Sequence, residues 1–140
     1  MGSDRHYEVI EHTGDVGIRL EASSLEVLFG AAAAALFDLL VEERPTGTPV
    51  LCVRIEGPDL EVLLVDWLNE LLYLHTVGKW VLAPAHIRVE SGFRLQAELV
   101  GEAFDPRRHR ARREVKAATF HGLKVTREQE RWRAQVIFDL

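Results

Sequence analysis

The chain has 140 residues, of which 47% are hydrophobic, and a formal net charge of −5. That length and apolar content suit one domain, 1–140, with a single sizeable core that needs no staples. The acidic balance excludes a global field that would draw in nucleic acid or an anionic membrane.

The N-terminal stretch Met1–His6 is polar, with no apolar segment behind it to serve as a signal peptide. Residues 7–10 and 16–22 read as strands flanking a turn within 11-EHTGDVGIRLEA-22, where 14-GDVG-17 has turn chemistry. The run 23-SSLEVLFGAAAAALFDLL-40 predicts a helix. Ser23 and Glu26 form a capping box there, and Leu25, Leu28, Phe29, Ala32, Leu36, Phe37 and Leu40 make one apolar stripe. After the turn chemistry of 44-RPTGTP-49, residues 50–57 predict a largely apolar strand. The single cysteine, Cys52, lies in that strand and reads as a reduced core residue of a cytoplasmic protein.

Asp59 can cap a second helix over 59–78, with Leu60, Leu63, Leu64, Trp67, Leu68 and Leu71 inward and Asp66, Asn69 and Glu70 outward. Strands follow at 79–90, with a break or bulge at Pro84, and at 93–102. A polar stretch then leads to a hairpin of 116–126 and 131–140. In the last strand Trp132, Ala134, Val136 and Phe138 alternate with Arg133, Gln135, Ile137 and Asp139, which sets Asp139 on the face away from the core. The order of elements predicts an α+β two-layer sandwich, with two helices packed on a mainly antiparallel sheet. No apolar run reaches the ~18 residues of a membrane span.

Four features could carry chemistry. Asp15 is either a turn residue or a hard-cation ligand whose glycine neighbours let the backbone come close to an ion. One carboxylate does not hold a divalent cation, and Asp139 with the α-carboxylate of Leu140 offers a second oxygen cluster. His12 and His121 could support a metal or move protons, or be structural; His75 and His86 read as structural. The basic run 107-RRHRARREVK-116 holds Arg107, Arg108, Arg110, Arg112, Arg113 and Lys116, with His109 among them. It could be a solvated loop, a patch for RNA phosphates, or a dock for an acidic protein. No aromatic residues interleave with it to stack single-stranded RNA. There is no Walker-type loop, GxGxxG, GxSxG, HExxH or CxxC pair, which disfavours an autonomous enzyme.

The segments 12-HTGDVGIRLEASSLEVLF-29, 64-LVDWLNELLYL-74, 101-GEAFDPRRHRARREVKAATFHGLKV-125 and 131-RWRAQVIFDL-140 together resemble archease, in order and over nearly the whole chain. Gly14 stands where that family more often has alanine, and Phe120 where it more often has tyrosine. The resemblance implies a non-enzymatic accessory protein of the GTP- and manganese-dependent RNA ligase that joins a 3′-phosphate or 2′,3′-cyclic phosphate end to a 5′-hydroxyl in tRNA splicing and RNA repair. It implies promotion of ligase guanylylation and of repeated turnover, with tRNA as a further candidate partner. It also implies a divalent-metal site at Asp15, Asp139 and the main-chain oxygens of Leu140, filled by calcium in crystals and by manganese or magnesium as alternatives in function. Two other readings stand beside it: an RNA-binding or chaperone-like module using residues 107–116, and a metal-dependent hydrolase using Asp15, Asp139 and His121.

Overall fold

The computed structural model of the chain describes residues 6–140, without the side chains of His6 and His12. The elements run β1 (His6–His12), β2 (Asp15–Ala22), α1 (Leu25–Leu40), β3 (Pro49–Glu56), α2 (Leu60–Thr76), β4 (Trp80–Glu90), β5 (Arg94–Ala103), β6 (Ala117–Glu128) and β7 (Arg131–Asp139). Two helices on antiparallel strands is the class the sequence predicts. The strands, however, form two sheets rather than one, ordered β1-β2-β7-β6 and β3-β5-β4. Alternation specifies which face of a strand is buried, not which neighbour it bonds, so the division was not visible in the pattern.

Helix α1 packs chiefly on β4 and β2, and so touches both sheets, while α2 packs on β6, β4 and β3. This makes α1 a central helix, and the expected single stripe widens to nearly the whole circumference. The run Gly30–Ala33 is buried together with Leu28, Phe29, Leu36 and Phe37. Its N-cap is Ser24, one residue later than expected, whose Oγ accepts from the Val27 N–H at 3.1 Å. Glu26 does not close a capping box. Its carboxylate accepts from the Val89 N–H of β4 at 3.1 Å.

The cap expected for α2 is present, with Asp59 Oδ1 accepting from the Val62 N–H at 2.8 Å. Buried Trp67 donates its indole N–H to the Phe29 carbonyl at 3.0 Å, joining the two helices. Asn69 is not a solvated residue of the outward face. It donates to the Ala118 carbonyl at 3.2 Å and accepts from the Ala118 N–H at 2.8 Å, which occupies the outer edge of β6.

Pro84 marks a register shift in β4, as expected. The three-stranded sheet is covered on one face only, and this corrects the reading of Cys52. It lies on the open face with Arg54 and Glu56 and is exposed, while Val53 turns into the core.

Candidate functional site

The turn 12-HTGD-15 is a tight hairpin: His12 pairs with Asp15 across Thr13 and Gly14. Gly14 has φ 85°, a left-handed conformation at the second loop position that favours glycine. Neither nearby glycine is required by close packing of the chain against it. A Cβ at Gly14 would meet nothing within 4 Å, and one at Gly17 only ordinary contacts from 3.6 Å upward. The loop is thus Thr13–Gly14, not the expected 14-GDVG-17, and Asp15 is the first residue of β2.

Its position in the sheet matters more. Asp15 lies directly opposite Asp139 in the β2–β7 register, and Asp139 lies opposite Ala117 in the β7–β6 register. Directly opposed residues share a face, with Cβ atoms about 4.5–5.5 Å apart. The sequence thus brings together two acids separated by almost the whole chain, on the face opposite buried Val16 and Phe138. Asp15 is half-buried and Asp139 exposed. The Asp139 backbone is pinned by its carbonyl, which accepts from the Lys116 N–H at 2.9 Å. Leu140 packs its side chain against the core, so only its main-chain atoms can contribute to a ligand set.

Like charges directly opposite one another destabilise a sheet unless something neutralises them. A donor set of carboxylate and main-chain oxygens suits a hard cation such as calcium, magnesium or manganese rather than zinc. Among the described residues no three His, Cys, Asp or Glu side chains are grouped to hold a metal. His121, exposed on β6, therefore does not join the two acids in a three-ligand set. The side chain of His12 lies outside the described residues; its backbone pairs with Asp15.

The basic run is a strap from β5 back to β6, bound to the body along its length. Arg112 donates its backbone N–H to the Leu40 carbonyl and its guanidinium to the Asp38 carbonyl, both at 2.9 Å. These are orphan carbonyls at the C-terminus of α1, and a cation there also complements the helix dipole. Arg113 pairs with Glu11 at 2.8 Å and Arg108 with Glu102 at 3.3 Å. The Arg110 N–H donates to Glu43 at 2.7 Å. The side chains of Arg107, Arg110 and Lys116 are exposed and have no ion-pair partner among the described residues.

His109 is not part of the charged surface but is buried, at 3% exposure. The Asp105 N–H donates to its Nδ1 at 2.9 Å, so the ring proton sits on Nε2, which donates to Glu102 at 2.7 Å. Asp105 also turns the chain by accepting from the Arg107 N–H at 2.9 Å. Only this Asp-Pro turn signal, four residues ahead of the histidine, hinted at the latch. His75 is structural, as expected: its Nδ1–H donates to the Trp80 carbonyl at 2.8 Å, and its ring lies edge-on to Phe37 and Phe104. His86 is exposed on the open face of β4. A groove of about 850 Å³ runs between the strap and the end of α2, rimmed by Lys79, Arg112, Arg113 and Lys116.

A sequence model of the archease protein family matches residues 7–140. A protein archease from Pyrococcus furiosus is 40% identical over 141 residues, covering 97% of this chain and 99% of the relative. Another, from Methanopyrus kandleri, is 37% identical and covers 96% of this chain and 99% of the relative. Among solved structures, Methanobacterium thermoautotrophicum protein 1598 superposes with a TM-score of 0.78 at 30% identity, over 96% of this chain and 98% of that one. A Thermotoga maritima archease shares the fold, with a TM-score of 0.63 at 23% identity and 94% coverage of both chains.

Proposed function

This chain belongs to the archease family, and from that premise we propose that it is an accessory protein acting in trans on the GTP- and manganese-dependent RNA ligase that seals 3′-phosphate and 5′-hydroxyl ends in tRNA splicing and RNA repair. The observation that carries the reading is the direct register of Asp15 against Asp139. In this reading the two carboxylates and the main-chain oxygens of Leu140 hold one divalent cation. A cation bound there would supply positive charge to phosphate oxygens during guanylylation of the ligase.

The fold's contribution is position. Asp15 and Asp139 sit on neighbouring strands, and β7 is bonded on both sides, by β2 and β6. A site on paired strands keeps its geometry better than one on loops. Its place at the end of the sheet, with Asp139 exposed, leaves it open to a partner's cleft. The competing RNA-binding module loses much of its footprint, because Arg108, Arg112 and Arg113 are engaged within the fold. A hydrolase built on Asp15, Asp139 and His121 lacks the grouping it needs.

The test is multiple-turnover ligation by the ligase with GTP and manganese, with this protein present at less than one copy per ligase. Wild type should stimulate, and Asp15→Ala and Asp139→Ala, each shown folded by circular dichroism, should not. Full stimulation by both variants would reduce the acids to structural roles. Turnover of RNA by this protein alone would overturn the accessory assignment.

A further inference from the structure

Between the register pairs Thr119↔Ile137 and Lys124↔Gln135, the four residues 120–123 of β6 stand against Val136 alone on β7. Three extra residues make a large bulge, and its direction can be read from Gly122. A Cβ at Gly122 would lie 3.2 Å from Ile137 Cδ1 and 3.3 Å from Gln135 Nε2. Ile137 and Gln135 alternate with buried Val136 and Phe138, so they share the face that carries Asp15 and Asp139. The bulge therefore leans over that face. It begins opposite Ile137, two residues or about 7 Å along β7 from Asp139.

The bulge is braced. Thr119 Oγ1 donates to the Ile137 carbonyl at 2.8 Å and accepts from the His121 N–H at 3.3 Å. Gln135 Nε2 donates to the Gly122 carbonyl at 2.9 Å. Gly122 has φ 64°, so the bend relies on a residue without a Cβ for both its conformation and its space. What this scaffold presents is Phe120, a phenyl ring left 60% exposed.

We infer that Phe120 is a preorganised anchor that docks in an apolar pocket of the ligase, beside the cleft that receives Asp15 and Asp139. The inference rests on the accessory reading above and adds the surface that makes the contact. A single aromatic side chain held by a braced turn loses little freedom on binding, and such side chains dominate interface energetics. A convex apolar projection fits a concave pocket, which a folded protein provides. Single-stranded RNA instead calls for a groove with successive rings and cations. Here a single ring stands on a bulge.

The experiment titrates this protein into the ligase during multiple turnover, using wild type, Phe120→Ala, Phe120→Tyr and Gly122→Ala. Each is first checked by thermal melting and by calcium binding, which the Phe120 variants should leave unchanged. Phe120→Ala should raise the half-stimulating concentration by about 10-fold or more while reaching the wild-type plateau. Phe120→Tyr should stay close to wild type. Gly122→Ala, which keeps the ring but displaces its support, should shift in the same direction as Phe120→Ala. Anisotropy of the labelled protein with the ligase should show the same order. A Phe120→Ala curve that superimposes on wild type overturns the anchor and leaves the accessory reading standing. So does a lowered plateau with no shift in concentration. Weaker binding of a short single-stranded RNA by Phe120→Ala, with ligase binding unchanged, also overturns it and makes RNA the partner. Absence of stimulation by wild type brings down both readings.

Discussion

The phenol of Tyr7 reaches from β1 to the carboxylate of Asp38 on α1, to which it donates a hydrogen bond. Arg44 grips the same carboxylate with Nε at 3.1 Å and Nη2 at 2.6 Å. Burial first, then the hydrogen bond and the negative charge of Asp38, push the Tyr7 phenol up to about 12. An unfolded phenol titrates near 10, so the folded state holds this proton more tightly. The contribution is fully present below pH ~10 and is lost as pH rises towards ~12. Wild type should lose stability across that window, and Tyr7→Phe should flatten the loss; equal slopes in pH-dependent urea melts would exclude Tyr7 as its source. Asn69 is the second residue whose role outruns its appearance. Asn69→Ala leaves the N–H and carbonyl of buried Ala118 without their partner. The expected cost is about 1–3 kcal/mol, measured as a drop in the urea midpoint, and no change would mean that water takes over both bonds.

Among the elements, α1 depends most on its surroundings. Its N-terminus is closed locally by Ser24, but its C-terminus is closed by Arg112, from the far side of the chain. The strap is thus a structural part of the helix, which explains why the arginine run does not form one free basic patch. The β6–β7 hairpin shows the reverse, an element closed by poorly suited residues. Glu128 pairs with Arg131 across a two-residue loop, and Gln129 and Glu130 have φ 51° and 64°. Both are left-handed, as in a type I′ turn that favours Asn-Gly. Replacing Gln129 with Asn and Glu130 with Gly should stabilise the protein by about 1 kcal/mol. The check is a chemical denaturation midpoint, and a lower midpoint would show that these side chains make compensating contacts.

At the scale of the whole molecule, the consequential event is the pairing of the first hairpin with the last strand. It places Asp15 directly against Asp139, and like charges so opposed destabilise a sheet where nothing neutralises them. Without metal, Asp139→Asn should therefore be slightly more stable than wild type, by about 0.2–1 kcal/mol. With calcium at about 100 times its dissociation constant, wild type should gain about 2.7 kcal/mol, and chelation should reverse the gain. Asp139→Asn should show little of it. A calcium-induced melting shift of equal size in both proteins would place any bound ion elsewhere.

The sequence by itself determined the elements and several of their faces. Both helices, all seven strands and the α2 cap were legible, and so was the side of β7 on which Asp139 lies. These follow from local periodicity and capping, which act over a few residues. The acid beside the C-terminal carboxylate made Asp139 the candidate partner for Asp15, and the resemblance carried by the quoted segments pointed to the same pair, but no local pattern set the two side by side. Only the tertiary structure decided the division into two sheets, the exposure of Cys52, the burial of His109 and the use of Arg112 as a helix cap. Each depends on a surface or a carbonyl supplied by a distant segment. The Asp15–Asp139 register belongs to the same class, since strand pairing between chain-distant segments is settled by which faces the core covers, and no local pattern records it.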